Sequence, residues 1–354
     1  MASSRTRPNM SLIAARLDVS VATVSNALAG KGRVSPDLAA RIRAMANDLC
    51  YVPGMAGRAL RTGRSYVLGL VLPDIANPLF PQIAQAIESS AAEAGYGVLI
   101  ADSRNNVSTQ TEVIGRLLER GVDGVVIVLR RGTRVADVGT PVAVIDSPST
   151  PGNTVSADHW QGGQLVMDHL IGLGHRKILI IGNNPDSIVQ NDRIGGMKSR
   201  LSNGAESEVI WVEKVEARHG PGCPLGLADY YRAGFTACSA VSDLTALRAL
   251  TEILGAGISV PENMSVTGFD DLVWSPVVRP SLTTVRMDLA AIARIAVEAL
   301  TLAIERRAAG DDLPKGPVKA PPHHKESVPM SLVIRQSSAR AMTTQRTDNG
   351  GYSR

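Results

Sequence analysis

The stretch LIAARLDVSVATVSNALAG, residues 12–30, decides how this chain begins. Asn9 is placed to cap a helix running to about Leu17, with Ile13, Ala14 and Leu17 recurring on one face. Asp18-Val19 leaves room only for a tight turn. Ser20 then caps a second helix, Val21 to Ala29, which Gly30-Lys31-Gly32 stops. Ile13, Ala14, Leu17, Val19, Val24 and Leu28 can pack inward, leaving Val21, Ala22, Thr23, Ser25 and Asn26 to face outward. Ser35-Pro36, a cap followed by proline at the first helical position, opens a third helix to about Leu49. A tight turn between two helices, with the second helix's first side chains left free, is what a helix-turn-helix needs to reach base edges in a major groove.

Charge is distributed to match. The net charge of the 354 residues is only +4, but residues 1–64 hold ten basic side chains against Asp18, Asp37 and Asp48, so the head carries +7 and the remainder −3. A basic head on a mildly acidic body suits a polyanionic partner for the head alone. On charge alone, a solvated basic surface would look the same. With aromatic residues at 3%, few rings are available for stacking on bases or sugars. Cys50, Cys223 and Cys238 have no metal-ligand spacing and form no even framework, so reduced thiols in a cytoplasmic protein are expected. The opening MASSRTRPNM lacks the apolar core of a signal peptide. No run of about 18 apolar residues could span a bilayer, so no membrane partner is expected.

Residues 53–65, PGMAGRALRTGRS, read as a linker of marginal helix character. From Tyr66 onward, apolar strands alternate with amphipathic helices. YVLGLVL, GVVIVL and PVAVID read as buried strands and GVLIAD as a strand, with a helix from Asn77-Pro78 to about Ala94 and another opened by a capping box at Thr109-Gln110-Thr111-Glu112. The pattern then restarts with a helix from about Trp160 to Leu173, KILIIG, a helix after Arg193, EVIWV, a helix from Asp243 to about Leu254, and SVTGF. A late helix from about Asp288 to Arg307 and the strand SLVIR return to complete the two sets. Two successive βα sets imply two lobes, each a parallel sheet covered by helices. Residues after about Ser338 are expected to be disordered.

The segment AARLDVSVATVSNALAGKGRVSPDLAARIRAMANDLCYVP resembles the headpiece of the LacI/GalR family of bacterial transcription regulators. The family's VS..TVS..L core stands here as Val19-Ser20, Thr23-Val24-Ser25 and Leu28. Asp18 replaces the family's usual turn glycine, and aspartate tolerates a left-handed backbone better than most residues. The resemblance runs to about Ser338, through Asp74, Asn77-Pro78 and Phe80, the run His169 to Arg176, Arg193 with Gly196, Gly268-Phe269-Asp270-Asp271, Pro280 with Leu282 to Val285, and Leu332 to Arg335.

The resemblance implies a fold: a small all-α helix-turn-helix headpiece joined to an α/β two-lobed periplasmic-binding-protein-like domain. It implies a disordered start at 1–8, a headpiece at 9–52, a hinge at 53–65, an effector-binding and dimerisation domain at 66–338, and a disordered tail at 339–354. One lobe takes about 66–159 and 286–308, the other about 160–285 and 329–338. In the headpiece, Val21, Ala22 and Asn26 take the base-reading positions, where Asn26 can make a bidentate contact to adenine and the other two offer apolar contact. Ser20, Thr23 and Ser25 hold phosphates. Arg58 and Leu60 match a hinge motif whose leucine wedges into the minor groove, and Gly54 and Gly57 weaken that helix. In the cleft, Phe80 stacks on the ligand, Asp146 lines the wall, and Arg193 and Asp243 take its polar atoms. Phe80 reads equally well as core, and Asp243 as a helix cap.

The implied function is that of a repressor. Its partners would be pseudo-palindromic double-stranded operator DNA, a sugar- or nucleoside-like effector and a second copy of the chain, with tetramers left open. The alternative is a solute-binding module without regulatory DNA binding, which the basic head opposes. The stretch from Arg193 to Asp243 is shorter than the family's, as if part of a strand-helix unit were missing. No phosphate-cradling glycine loop, paired-cysteine metal cluster or nucleophile elbow occurs, so no enzymatic activity, cofactor or metal is expected. His323-His324, in a Pro/Lys-rich loop, is a weak metal signal.

Overall fold

The computed structural model of the protein describes residues 9–28, 30, 32, 34–49, 51, 63–129, 138–201, 204–311 and 316–342. These form two compact units that divide between Ser65 and Tyr66.

Among the described residues the first unit has three helices: α1 (Met10–Leu17), α2 (Val21–Leu28) and α3 (Pro36–Asp48). Each start is secured locally. Asn9 Oδ1 accepts the Leu12 amide at 2.8 Å, Ser20 Oγ the Thr23 amide at 3.0 Å, and Ser35 Oγ the Leu38 amide at 3.4 Å ahead of Pro36. Asp18 takes the left-handed conformation (φ 55°, ψ 48°) that lets the chain turn sharply out of α1. Ile13, Ala14, Val24, Ala27, Ala39, Ile42 and Ala46 form the buried core, with Leu17, Val19 and Leu28 packed at its margin. The second helix ends at Leu28, and Ala29 lies outside the described residues.

The second unit is built on two sheets. In the first lobe, β1 (Val67–Leu72), β2 (Gly97–Asp102), β3 (Gly124–Val128) and β4 (Val142–Ile145) form a parallel sheet in the order β2-β1-β3-β4. Alternate residues face opposite layers, as the period of two requires. Leu68, Leu70, Leu72 and Val126 meet α4 (Leu79–Glu93) and a late helix from Leu289 to Ala308, while Val71, Val125 and Ile127 meet α5 (Val107–Glu119). Apolar side chains buried on both faces are why β1, β3 and β4 read as continuous hydrophobic runs, whereas β2, at the sheet edge, is only part-buried and exposes Ile100. The capping-box expectation is corrected here. Helix α5 starts at Val107, and Asn106 Oδ1 accepts the Thr109 amide at 3.0 Å. An extended asparagine one turn earlier thus takes the cap, and Thr109 falls inside the helix.

The chain leaves β4 through β5 (Ser156–Ala157) into α6 (His159–Gly172), β6 (Lys177–Gly182) and α7 (Ile188–Ser199). Ser187 caps α7, so Arg193 lies within this helix rather than before it. Next come β7 (Glu206–Trp211), α8 (Val212–His219), α9 (Leu227–Arg232), β8 (Ala237–Ala240), α10 (Asp243–Gly255), β9 (Ser265–Phe269) and β10 (Thr283–Arg286). The late helix, α11 (Leu289–Ala308), returns to the first lobe, and β11 (Ser327–Val328) and β12 (Ser331–Val333) follow. The second sheet is ordered β12-β10-β9-β8-β6-β7, parallel except at the β10–β12 edge. β5 and β11 pair in parallel as a separate two-stranded ribbon.

Between Arg193 and Asp243 the strand is present: β7 pairs with β6 over six residues. HGPGCPLG, residues 219–226, joins two short helices and is tied to α10. Glu252 accepts the amides of Leu225 and Leu227 at 2.7 and 2.9 Å, and Arg248 donates to the Cys223 carbonyl at 2.7 Å. The expectation of disorder from residue 339 is also corrected. The Ala339 carbonyl lies 3.0 Å from His175 Nε2, and the Ala341 amide donates to the Leu173 carbonyl at 2.9 Å, so the chain stays on the second lobe to residue 342. His175 also bonds Thr236 and Ser265 and is a structural joint. Cys223 and Cys238 are free thiols, and Cys50 lies outside the described residues.

Candidate functional site

On α2, the inward positions Val24 and Ala27 fix which side faces water. Val21, Ala22 and Asn26 are exposed, and Thr23 and Ser25 are half-buried beside them. Ser20 Oγ, besides capping the helix, lies 2.8 Å from Thr23 Oγ1, so the two hydroxyls form a fixed pair at the helix start. Four early amides of any helix lack internal partners and attract anions. Asn26 has Gly32, part of the helix stop, close beside it. Gly32 (φ +83°) approaches so closely that a Cβ there would lie 3.3 Å from Asn26 Nδ2. Arg58 and Leu60 lie outside the described residues.

The second unit contains a cleft of about 860 Å³ whose walls come from both lobes. Asn77, Phe80 and Asn105 contribute from the first lobe. Asn183, Asn184, Gln190, Arg193, Ser242 and Asp270 contribute from the second, and Asp146, His159 and Met287 from the connections between them. Phe80, expected as stacking platform or core, is half-buried. It packs against the main apolar cluster and also lines the cleft.

A chain of polar groups occupies the cleft floor. Arg193 is buried, donates from Nη1 to the Val241 carbonyl at 2.5 Å, and holds its guanidinium carbon 4.6 Å from the centre of the Phe269 ring. Its Nη2 lies 2.9 Å from Asp270 Oδ1, an ion pair without hydrogen-bond alignment. Its Nε donates to His159 Nδ1 at 3.4 Å, and the His159 ring also bonds the Asp146 backbone. Burial first, and the Arg193 charge second, hold His159 well below the usual histidine range, so the ring is neutral. Burial likewise raises Asp270, against the lowering effect of Arg193. Asp146 is pushed up to about 6 by burial, helped by the charge of Asp192 and opposed by the Thr150 hydroxyl, which donates to Oδ2 at 2.6 Å.

Asp243 does not belong to this group, and its assignment to the cleft is corrected. Its buried carboxylate accepts the Leu272 amide at 2.8 Å and the hydroxyls of Ser275 at 2.5 Å and Thr284 at 2.6 Å. With its lone pairs committed to its own chain, it stitches α10 to the segment after β9. Burial and nearby Asp270 push it up to about 7 despite those bonds. The cleft position beside it is Ser242, the cap of α10. Asp270 stood in a quoted motif without a role, and His159 gave no sequence signal.

Arg193 is the one Lys or Arg among the described lining residues, against Asp146, Asp186, Glu213 and Asp270. Amides, carboxylates and one guanidinium between apolar walls can hold a neutral ligand rich in hydroxyl groups. The acidic balance opposes an anionic one.

A family model for bacterial regulatory proteins of the lacI family matches residues 9–54, spanning the three-helix unit, and one for a periplasmic binding protein-like domain matches residues 167–338. The transcriptional regulator MalR of Streptomyces coelicolor is 30% identical over 347 residues, covering 93% of this chain and 96% of the relative. The chain belongs to the LacI family of bacterial regulatory proteins. Another relative of this LacI-family regulator, DegA of Bacillus subtilis, is 27% identical over 340 residues, 92% of this chain and 97% of the relative. A crystal structure of the lac repressor dimer bound to operator and the anti-inducer ONPF shares the fold, with a TM-score of 0.71 at 23% identity, covering 94% of this chain and 100% of that one. The protein is therefore a DNA-binding regulator of transcription, and its family regulates rather than catalyses. Among the described residues no helix is long and apolar enough to cross a membrane.

Proposed function

We propose that this regulator binds a pseudo-palindromic operator as a homodimer through α2, and that a neutral sugar- or nucleoside-like effector in the cleft sets its affinity for that operator. The observation that carries the proposal is the exposed trio Val21, Ala22 and Asn26 on a capped helix whose opposite face is buried. Asn26 reads adenine, Val21 and Ala22 touch thymine methyls, and Ser20, Thr23 and Ser25 hold phosphates. Arg58 and Leu60, in the 53–65 linker between headpiece and effector domain, complete the contact at the operator centre.

In the cleft, Phe80 stacks on the ligand, Arg193 and Asp270 take its hydroxyls as an oriented pair, and Asp146 presents its carboxyl beside them, while His159 holds Arg193 in place. An effector changes operator affinity only by as much as it distinguishes two conformations of the protein. The experiment is sequence selection from random DNA with the purified full chain, with and without a panel of neutral sugars and nucleosides. One enriched palindromic site is expected, with occupancy that shifts on adding one member of the panel and falls steeply with salt. No preferred site at moderate salt would sink the proposal.

A further inference from the structure

The fold gives His323-His324 a third partner. Glu298 on α11 faces both rings, its Oε1 lying 3.0 Å from His323 Nε2 and its Oε2 3.0 Å from His324 Nε2. The ring centroids are 4.2 Å apart and tilted by 49°, so both Nε2 atoms converge on one carboxylate. The candidate ligand atoms of the three residues all lie within 4.8 Å of one another. Two imidazoles and a carboxylate are a donor set that borderline-soft divalent ions favour, with bonds of about 2.0–2.2 Å. A tetrahedral ion with such bonds spaces its ligands about 3.3 Å apart. Each histidine lies 3.0 Å from a different carboxylate oxygen, so whichever oxygen binds the ion has one ligand pair near that spacing, and the remaining separations are no more than 4.8 Å. The wider separation lies within the torsional reach of His323, whose side chain is 62% exposed. Arg294, one turn earlier on α11, places Nη1 3.3 Å from His324 Nε2. Its charge sits where imidazole and carboxylate attract a cation, and as an exposed side chain it can withdraw to solvent.

We propose that Glu298, His323 and His324 form a site for a divalent transition-metal ion of the zinc class, separate from the effector cleft and open to one water ligand. None of the three residues lines the cleft. The ion would tie the segment returning from α11 to the helix itself, just ahead of the point where Glu326 accepts the Ser156 amide at 2.9 Å and β11 joins β5. It would thus fasten one of the connections between the lobes. It closes a loop that otherwise costs chain entropy, and its binding free energy adds to the stability of the folded form.

Isothermal titration of the untagged full chain with zinc chloride tests the proposal. One zinc per chain is expected, lost in a His323→Ala/His324→Ala double variant, weakened in Glu298→Gln, and kept in the exposed-histidine control His219→Ala. Zinc should raise the melting temperature of the wild type and leave that of the double variant where it was, and the variant's own melt shows whether it is folded. Absence of saturable zinc binding by the wild type overturns the proposal. So does equally tight binding by the double variant or by Glu298→Gln.

Discussion

Helices α6 and α7 cross backbone to backbone, and Gly196→Ala tests how much depends on that approach. A methyl at Gly196 would lie 2.0 Å from the Trp160 carbonyl oxygen and 2.8 Å from its carbon. A Cβ added at Gly163 would face the same obstacle from the other side, 2.1 Å from the Arg193 carbonyl oxygen. Carbon and oxygen need roughly 3.4 Å, so the helices must part by more than an ångström, an overpacking cost of about 1–3 kcal/mol. Alanine's helix preference over glycine returns up to about 1 kcal/mol. Because the obstacle is backbone, which yields less than a side chain, the upper half of the overpacking range applies and the net loss is about 1–2 kcal/mol, a fall in melting temperature of about 1–3 °C for a chain of 354 residues. Gly115→Ala, in α5 with nothing within 4 Å of the added methyl, is the control and should melt slightly above the wild type. Scanning calorimetry of the full chain reads both. If Gly196→Ala melts at or above the wild type, the close crossing has no energetic weight and the reasoning fails.

Three further outcomes are expected. Asp243 titrates near 7 in the folded chain and near 3.8 when unfolded. The native state therefore holds a proton that the unfolded state releases, and stability falls as pH rises from about 4 to 7. Asp146 and Asp270 are raised too and add slopes of the same sign, so Asp243→Asn should flatten but not abolish the decline in urea-unfolding free energy across that window; an unchanged slope removes Asp243 as a contributor. Asn26→Ala should relax preference at one base of each half-site, worth about 1–3 kcal/mol there, and selection profiles identical to the wild type would exclude it as a reader. Arg193→Met leaves Asp270 buried without its partner and should cost about 3–5 kcal/mol; a melting curve matching the wild type would show that the pair is dispensable.

The headpiece was legible because its signals are local. Asn9, Asp18, Ser20 and Ser35-Pro36 each act within four residues of their own positions, where sequence spacing is spatial spacing. Strands buried on both faces were legible for a related reason, since apolar runs bounded by turns leave few alternatives. The start of α5 was misplaced because two overlapping cap signals competed, and the backbone conformation at Asn106 decided between them. Asp243 stands at a helix start, where a cap and a ligand contact look alike. The donors that claim its carboxylate come from Leu272, Ser275 and Thr284, which no local pattern brings together. His159 and Glu298 acquire their partners only through packing between distant segments. The same holds for residues 339–342, which carry no periodic pattern of their own and are held by His175 and Leu173.

The β5–β11 ribbon has a mechanical meaning. Two of the chain's passages between the lobes run side by side and are hydrogen-bonded to each other over Ser156–Ala157 and Ser327–Val328. Laced strands cannot slide independently, so they behave as one strap and not as two free strings. Any movement of one lobe against the other that keeps this pairing must carry both passages together.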